Sequence, residues 1–552
     1  VSKNSIAFIL CAVALFGAYS YLSQRQLQQA APPGAPTTEQ AADQPEGALH
    51  QTEQTSGSNA ASGLGAVAQT FSTEGGPESL AIVTPSVKID LSNRGGCIEG
   101  VVLNGYQRTQ GASDPVALIE KLEPCKALGV RISDLDLREE PALLSSSSPQ
   151  GVTIEQRKDG LHVRRTLHIN ETGYQGKLTI EVHNTRTDRH SGLVEFELGA
   201  TSTKEGAASM LSFDQSSMRH LSYYADDELN EEILHFEETP AAEVLVLEPS
   251  VSLDWAASGG TYFMFAASPL FKSPVGIRFE RQPFNMQPDR QSPAERTIYE
   301  GWLQHQFDLA PGTGTSWAYD LYLGPKDLAD LTAAGHNLEK SINYGFFQIV
   351  AWPMFKALQW IEGLVGNWGV AILILTLLIR IVFYPLTAKS YTASKKMQKL
   401  QPALNELKEK YKDDKQKQQQ ELMAMMAKEG VNPLGGCLPV LPQIPVFFGL
   451  NAVLMHTFDL RQAPLGLWIQ DLSTHDPYYI SPLLMALLMY VQQRMTPMPS
   501  MDPTQAKIMR FLPIIFALFM ISYPSGLVVY IITSTIFSIA QQQFMMKTYK
   551  DT

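Results

Sequence analysis

From Trp368 to Leu386 the chain carries a single charged residue, Arg380, in an otherwise apolar run. A run of that length and composition is read as a helix crossing a bilayer, because hydrocarbon offers no water to satisfy exposed backbone groups. Four further runs read the same way: Leu438 to His456, Tyr479 to Val491, Phe511 to Tyr523, and Leu527 to Phe544. The second and third of these are short and need their flanks to reach across. Pro524-Ser-Gly526 is too brief to be anything but a tight turn between two antiparallel spans. A sixth run, Ile6 to Leu22, lies far from the others, near the start of the sequence. It is expected to be an uncleaved anchor rather than a signal peptide, since Tyr19, Tyr21 and Leu22 stand where a cleavage site needs small residues.

Between the sixth run and the other five lies a different kind of text. Residues 23–78 are rich in Gln, Ala, Pro, Thr, Ser and Gly without apolar periodicity, and read as a linker. From Leu80 to Gly324 short runs alternate apolar and polar residues, as in Ser86 to Leu91, Leu161 to Ile169, Lys177 to Val182, Gly192 to Leu198 and Trp317 to Leu323. Period-two alternation broken by Gly, Asn, Asp and Pro predicts half-buried antiparallel strands, hence one large β-sandwich. His162, His168 and His183 fall on these strands without a repeated ligand spacing, so structural roles are favoured over a metal site. Lys326 to Leu338 reads as helical. Tyr344 to Leu364, aromatic and interrupted by Pro353, reads as an amphipathic helix lying in the interface.

Charge is segregated along the chain. The formal net charge of −12 is made of 25 basic and 43 acidic residues before Lys356, against 18 and 12 from Lys356 onward. Lys389, Lys395, Lys396, Lys399, Arg494, Lys507, Arg510, Lys547 and Lys550 all fall on one side of the bilayer if there are six spans. The positive-inside rule makes that side cytoplasmic and puts the acidic β domain outside, in a Gram-negative cell the periplasm. Four cysteines exclude a disulfide scaffold, though Cys97 and Cys125 can pair in an oxidising compartment.

Arg380 is the main functional signal. At 1.5 Å per residue it lies about 18 Å from Trp368 and about 9 Å from Leu386, inside the hydrocarbon layer. An arginine there costs about 2.5–3.5 kcal/mol, so it should face water, protein or a substrate, the competing reading being snorkelling to the headgroups. Thr376 and Tyr384 lie one turn either side on its face, and Gln443 is a second intramembrane polar group, flanked by Pro442 and Pro445. Together they suggest a polar cleft between spans.

Between Thr387 and Gly430 the chain is highly charged, with Met397, Leu400, Leu404, Leu407 and Tyr411 at heptad-like spacing. Asp413-Asp414-Lys415 can turn the chain into a second helix carrying Leu422, Met425 and Met426, so a self-packed helical hairpin is expected over a partner site, with lysines able to meet a polyanion such as ribosomal RNA. Methionines crowd the same half of the chain, among them Met485, Met489, Met495 and Met520, either as gap-fillers or as an adaptable surface for varied apolar sequences.

Several motifs in order carry a resemblance: Tyr384-Pro-Leu-Thr387, Val431-Asn-Pro-Leu-Gly-Gly-Cys437 with Pro439 and Gln443-Ile-Pro445, Leu460-Arg-Gln-Ala-Pro464 with Trp468 and Asp476-Pro-Tyr-Tyr479, and Pro524-Ser-Gly-Leu527. From about Trp352 to Lys547 the chain closely resembles the YidC/Oxa/Alb family of membrane protein insertases, and its anchor and β domain resemble the Gram-negative form. The resemblance implies an α-helical polytopic membrane protein with a five-span core around a hydrophilic groove, open to cytoplasm and lipid but closed outward. It also implies a periplasmic all-β supersandwich and a cytoplasmic helical hairpin. The expected divisions are an anchor (1–22), a linker (23–78), the β domain (79–340), the interfacial helix (341–365), the second span (366–387), the hairpin (388–431), four spans (432–545) and a tail (546–552).

By this resemblance Arg380, Thr376, Gln443 and Tyr530 line the substrate groove, while Tyr384, Tyr391 and Asp502 match positions that contact the translating ribosome. The loop from Thr496 to Pro503 around Asp502 departs from the usual sequence. The implied partners are nascent membrane proteins, the Sec translocon, the ribosome with the signal recognition pathway, and membrane lipids. Neither a cofactor nor enzymatic activity is expected, and no Walker motif is visible. Two other classes remain open: an anion transporter or channel using Arg380, and a tethered periplasmic carbohydrate enzyme. Against the first stand a single intramembrane charge and the lack of a visible repeat of the spans; for the second, five spans around a polar cleft would be a needless tether.

Overall fold

A computed structural model describes residues 79–108, 114–119, 127–133, 135–204, 219–233, 244–247, 252–272, 274–284, 296–411, 414–428, 440–495 and 503–548. The expected anchor and linker, the segment 431–439 and the loop 496–502 lie outside these residues.

Alternation places the strands. Val87, Ile89 and Leu91 point one way along Val87–Ser92, and Leu161, Val163, Leu167 and Ile169 do so along Leu161–Ile169. Three sheets result. A four-stranded sheet runs in chain order from Ser79–Val83 to Pro115–Ile119. A nine-stranded antiparallel sheet has Gly314–Pro325 paired on one side with Gln175–Asn184 and on the other with Phe263–Pro269. A six-stranded sheet centres on His190–Lys204 against Arg296–Leu309. Inward residues of all three, such as Ile89, Leu178, Ile180, Val194 and Phe196, share one core, as expected of a sandwich.

One inward position breaks the apolar pattern. Arg165, 1% exposed, points into the domain and donates to the Leu128 carbonyl at 2.6 Å, to the Gly95 carbonyl at 3.3 Å and to the Gln156 side chain. Burial pushes its guanidinium down to about 9. His162 and His183 pair across neighbouring strands, and among the described residues no three His, Cys, Asp or Glu are grouped to hold a metal. Cys97 is disulfide-bonded.

The far face of the nine-stranded sheet is covered by α1 (Leu328–Ala334) and a 3-10 turn, Leu338–Ser341. The sequence predicts one helix from Lys326 to Leu338; the chain instead breaks at Gly335, whose φ of 78° suits glycine and ends the helix. Asp327 caps α1 through the backbone N–H groups of Ala329 and Asp330.

The rest is helical: α2 (Gln348–Val365), α3 (Trp368–Val382), α4 (Tyr384–Lys410), α5 (Lys415–Lys428), α6 (Val440–His456), α7 (Ile480–Met495), α8 (Pro503–Met520) and α9 (Ser525–Thr548). α2 buries Ala351, Met354, Phe355, Leu358 and Ile361 and exposes Ile349, Trp360 and Leu364 together with Lys356 and Gln359, so its outer side is mixed. The helix starting at Trp368 ends at Val382 rather than running through to Leu386; a new helix begins at Tyr384, with Pro385 in its first turn. Leu404 and Leu407 of α4 are buried, as is Met426 of α5, and the two helices touch. Among the described residues, one helix is both long and apolar enough to cross a membrane, Ser525–Met545; Trp368–Val382, Gln443–His456 and Phe511–Met520 are apolar but shorter. These helices share a second hydrophobic core with Leu460, Ile469 and Leu472 of the loop before α7.

Candidate functional site

Inside this second core sits a small set of polar side chains. Asn367 caps α3 by accepting from the Val370 N–H at 2.9 Å, which starts the apolar helix that carries Arg380. Arg380 is half-buried, and its guanidinium donates to the Ser534 hydroxyl on α9. One turn before Ser534, Tyr530 is 2% exposed, and its hydroxyl accepts from the Gln443 amide of α6 at 2.8 Å. Arg380 therefore meets α9 one turn from Tyr530, on the same face of that helix. Three helices thus converge through four polar side chains in a setting of low dielectric, where each hydrogen bond is strengthened.

Of the residues expected in the groove, Arg380, Gln443 and Tyr530 come together. Thr376 lies on the same helix as Arg380 but is 1% exposed, and its hydroxyl donates to the Ile372 carbonyl of its own helix at 2.6 Å. Tyr384 opens α4 and is exposed, Tyr391 lies within the same helix, and Asp502 is outside the described residues. Ser534 was not singled out from the sequence. Its signal was available: it follows Tyr530 by four residues, so the two share a face of α9.

One end of the helices is closed by the loop from Thr457 to Tyr479. Asp471 accepts from the backbone N–H groups of Gln462 at 3.0 Å and Ser473 at 2.8 Å. Asp476, 1% exposed, accepts from Trp468 at 3.1 Å and from the N–H groups of Tyr478 at 2.9 Å and Ser481 at 2.7 Å. Burial alone would raise its pKa, but these donors hold it below the usual carboxylate value. The turn before α9 is pinned to the same loop, with Ser525 N–H donating to the Thr474 carbonyl at 2.7 Å and Gly526 N–H to the Leu472 carbonyl at 2.9 Å.

The loop also meets the β domain. Tyr106, Phe263 and Phe458 form a triangle with every pair of ring centroids 5.5 Å apart. Arg461 lies over the Phe263 ring and donates to the carbonyls of Gln107 and Arg108.

Comparison with known proteins adds an independent line. Residues 79–357 match the family model described as YidC periplasmic domain, and residues 360–552 match the one described as 60Kd inner membrane protein. The chain is 36% identical over 485 residues to the membrane protein insertase YidC of Syntrophus aciditrophicus, covering 85% of each chain. It is 47% identical over 240 residues to the protein of the same name from Shewanella pealeana, covering 43% of this chain and 44% of that one. A solved structure titled as an active YidC insertase superposes with a TM-score of 0.37 at 16% identity, over 86% of this chain and 92% of the other. That loose superposition adds nothing to the sequence matches.

Proposed function

The chain belongs to the YidC family of membrane protein insertases, and we propose that its Arg380–Ser534–Tyr530–Gln443 cluster is the polar path along which a client enters the membrane. The protein is a membrane protein insertase of the inner membrane with a periplasmic β domain, and its clients are nascent membrane proteins. The observation that carries the path is the half-buried Arg380 held among apolar helices.

Moving a polar or acidic segment through hydrocarbon is opposed by loss of its hydration. A guanidinium with five N–H donors, of which Ser534 takes one, offers replacement partners to a carboxylate or a backbone carbonyl. The client's apolar stretch then moves from the helix wall into lipid, gaining about 25 cal/mol per Å² of buried apolar surface. That gain supplies the driving force, so no nucleotide site is needed.

The remaining architecture in this reading has six spans, counting residues 6–22, with basic flanks in the cytoplasm. The helices α4 and α5 form a cytoplasmic hairpin, α2 lies in the outer interface, and the loop around Asp471 and Asp476 closes the path toward the periplasm. The divisions at 1–22, 23–78, 79–340, 341–365, 366–387, 388–431, 432–545 and 546–552 follow the same scheme. Tyr384, Tyr391 and Asp502 are the ribosome-contact residues of this reading, and the β domain meets the Sec translocon. Support comes from the segregated charge and from the exposure of Tyr384 at the head of α4.

The test is site-specific photocrosslinking from positions 380, 443 and 530 to a stalled nascent chain. Crosslinks to the client's hydrophilic segment are expected; crosslinks to lipid alone would sink the path.

A further inference from the structure

We infer that Ser534 is a positioning residue, which holds the Arg380 guanidinium inside the path where a client's acidic group can reach it. The inference rests on the reading of the path given above.

The hydroxyls of α9 separate it from its neighbours. Thr533 donates to the Val529 carbonyl at 2.7 Å, Thr535 to the Ile531 carbonyl at 2.7 Å, and Ser538 to the Ser534 carbonyl at 2.9 Å. Each satisfies its own helix, as serine and threonine in apolar helices do. Ser534 instead accepts from Arg380 across the helix interface, and it lies one turn from Tyr530 on the same face of α9. Gln443 donates to that same hydroxyl from α6. The result is a relay from α3 through α9 to α6, anchored at one end by the only cation in α3.

Arginine needs such an anchor. Its long stem lets the head snorkel toward headgroups, and in hydrocarbon that drift is favoured. A hydroxyl on the facing helix, itself 6% exposed, supplies an acceptor at the depth of Arg380. Removing the hydroxyl leaves the guanidinium free to leave the path, while the helices keep their apolar packing.

The experiment measures insertion by the full-length protein in proteoliposomes, per molecule of insertase. Two matched clients are used, one with an acidic and one with an uncharged outer segment. Ser534→Ala and Ser534→Val are expected to lower insertion of the acidic client at least about tenfold, the lower end of what a lost hydrogen bond to a charged group costs. The uncharged client should lose less, so that the ratio of acidic to uncharged insertion falls. Ser534→Thr keeps the hydroxyl in the shape of valine and should restore the acidic client. Adding Ser534→Ala to Arg380→Ala should cost nothing further. Equal loss for both clients, or failure of threonine to rescue where valine fails, would mark Ser534 as a packing residue and overturn the inference. Impairment by Arg380→Ala beside normal insertion by Ser534→Ala overturns the inference alone. Normal insertion of the acidic client by Arg380→Ala overturns the reading of the path and this inference with it.

Discussion

The Tyr262 hydroxyl donates to the Met455 carbonyl at 3.3 Å, fastening a strand turn of the β domain to the last turn of α6. Two layers of the molecule that differ in solvent and in fold class are therefore joined by directed hydrogen bonds. Beside this bond the Lys326 N–H donates to the Tyr262 carbonyl at 2.7 Å, and Gln462 donates to the Gln107 carbonyl at 3.0 Å.

The aromatic triangle should hold this junction. Phe458→Ala removes two edge-to-face ring contacts, each worth about 0.5–1.5 kcal/mol beyond area burial. Hydrogen exchange of the full chain should then rise in residues 101–107 and 458–463, while the distant pair of strands Gly151–Lys158 and Leu161–Ile169 stays protected. Unchanged exchange at 458–463 would show that the triangle does not hold the junction.

Asp459 makes the junction sensitive to pH. Burial, followed by the charges of Asp327 and Glu362, lifts its carboxyl from 3.8 to about 6. The Tyr344 hydroxyl is another titratable group on which the Asp459 charge acts. The folded chain thus holds a proton that the unfolded chain releases. Stability contributed by this group is present below pH 3.8 and is lost as pH rises through 6. Melting temperatures of wild type and Asp459→Asn between pH 4 and 8 should diverge across that window, the asparagine variant falling less. Parallel curves would refute the assignment.

Asp136 should act in the opposite direction at lower pH. Burial favours its neutral form, but hydrogen bonds from the Arg138 side chain and backbone prevail and hold it down to about 2. Its contribution is present above 3.8 and disappears as pH falls toward 2. Asp136→Asn should flatten acid unfolding of the β domain between those values, followed by far-ultraviolet circular dichroism.

Arg165→Ala should destabilise the β domain by about 2–4 kcal/mol, since it unpairs the buried carbonyls of Leu128 and Gly95 and leaves a cavity. Urea unfolding of the full chain, read from the near-ultraviolet signal of the buried Trp255 and Trp302, measures it. A loss below 0.5 kcal/mol, the range of an ordinary surface change, would mean the site relaxes around the deletion.

Arg380→Lys should retain part of the insertion of clients with acidic outer segments that Arg380→Ala loses, because the charge persists while the planar fork does not. Complementation of an insertase-depleted strain with such a client reads the difference. Equal behaviour of lysine and alanine would show that geometry rather than charge matters at this position.

Much of the β domain was legible because alternation is a property of a few consecutive residues. Leu161 to Ile169 reads as a strand and is one. The same alternation concealed Arg165, since an inward arginine looks like any polar interruption until the carbonyls of Gly95 and Leu128 are seen to surround it. Pairings such as His190 with Leu309 join residues far apart in the chain, and no local pattern announces them. On the helical side, Arg380, Gln443 and Tyr530 were each identifiable, but not the hydrogen bond linking Gln443 to Tyr530.

By itself the sequence determined which stretches are apolar and which alternate, the period of the elements they form, and the presence of a lone cation in an apolar helix, because composition and periodicity are local. Only the tertiary structure decided that Arg380 is held by Ser534, that Thr376 is satisfied by its own helix, and that Tyr106, Phe263 and Phe458 meet at one junction. Those outcomes depend on the rotation of each helix about its axis and on which distant strands adjoin. Packing of the whole chain sets both.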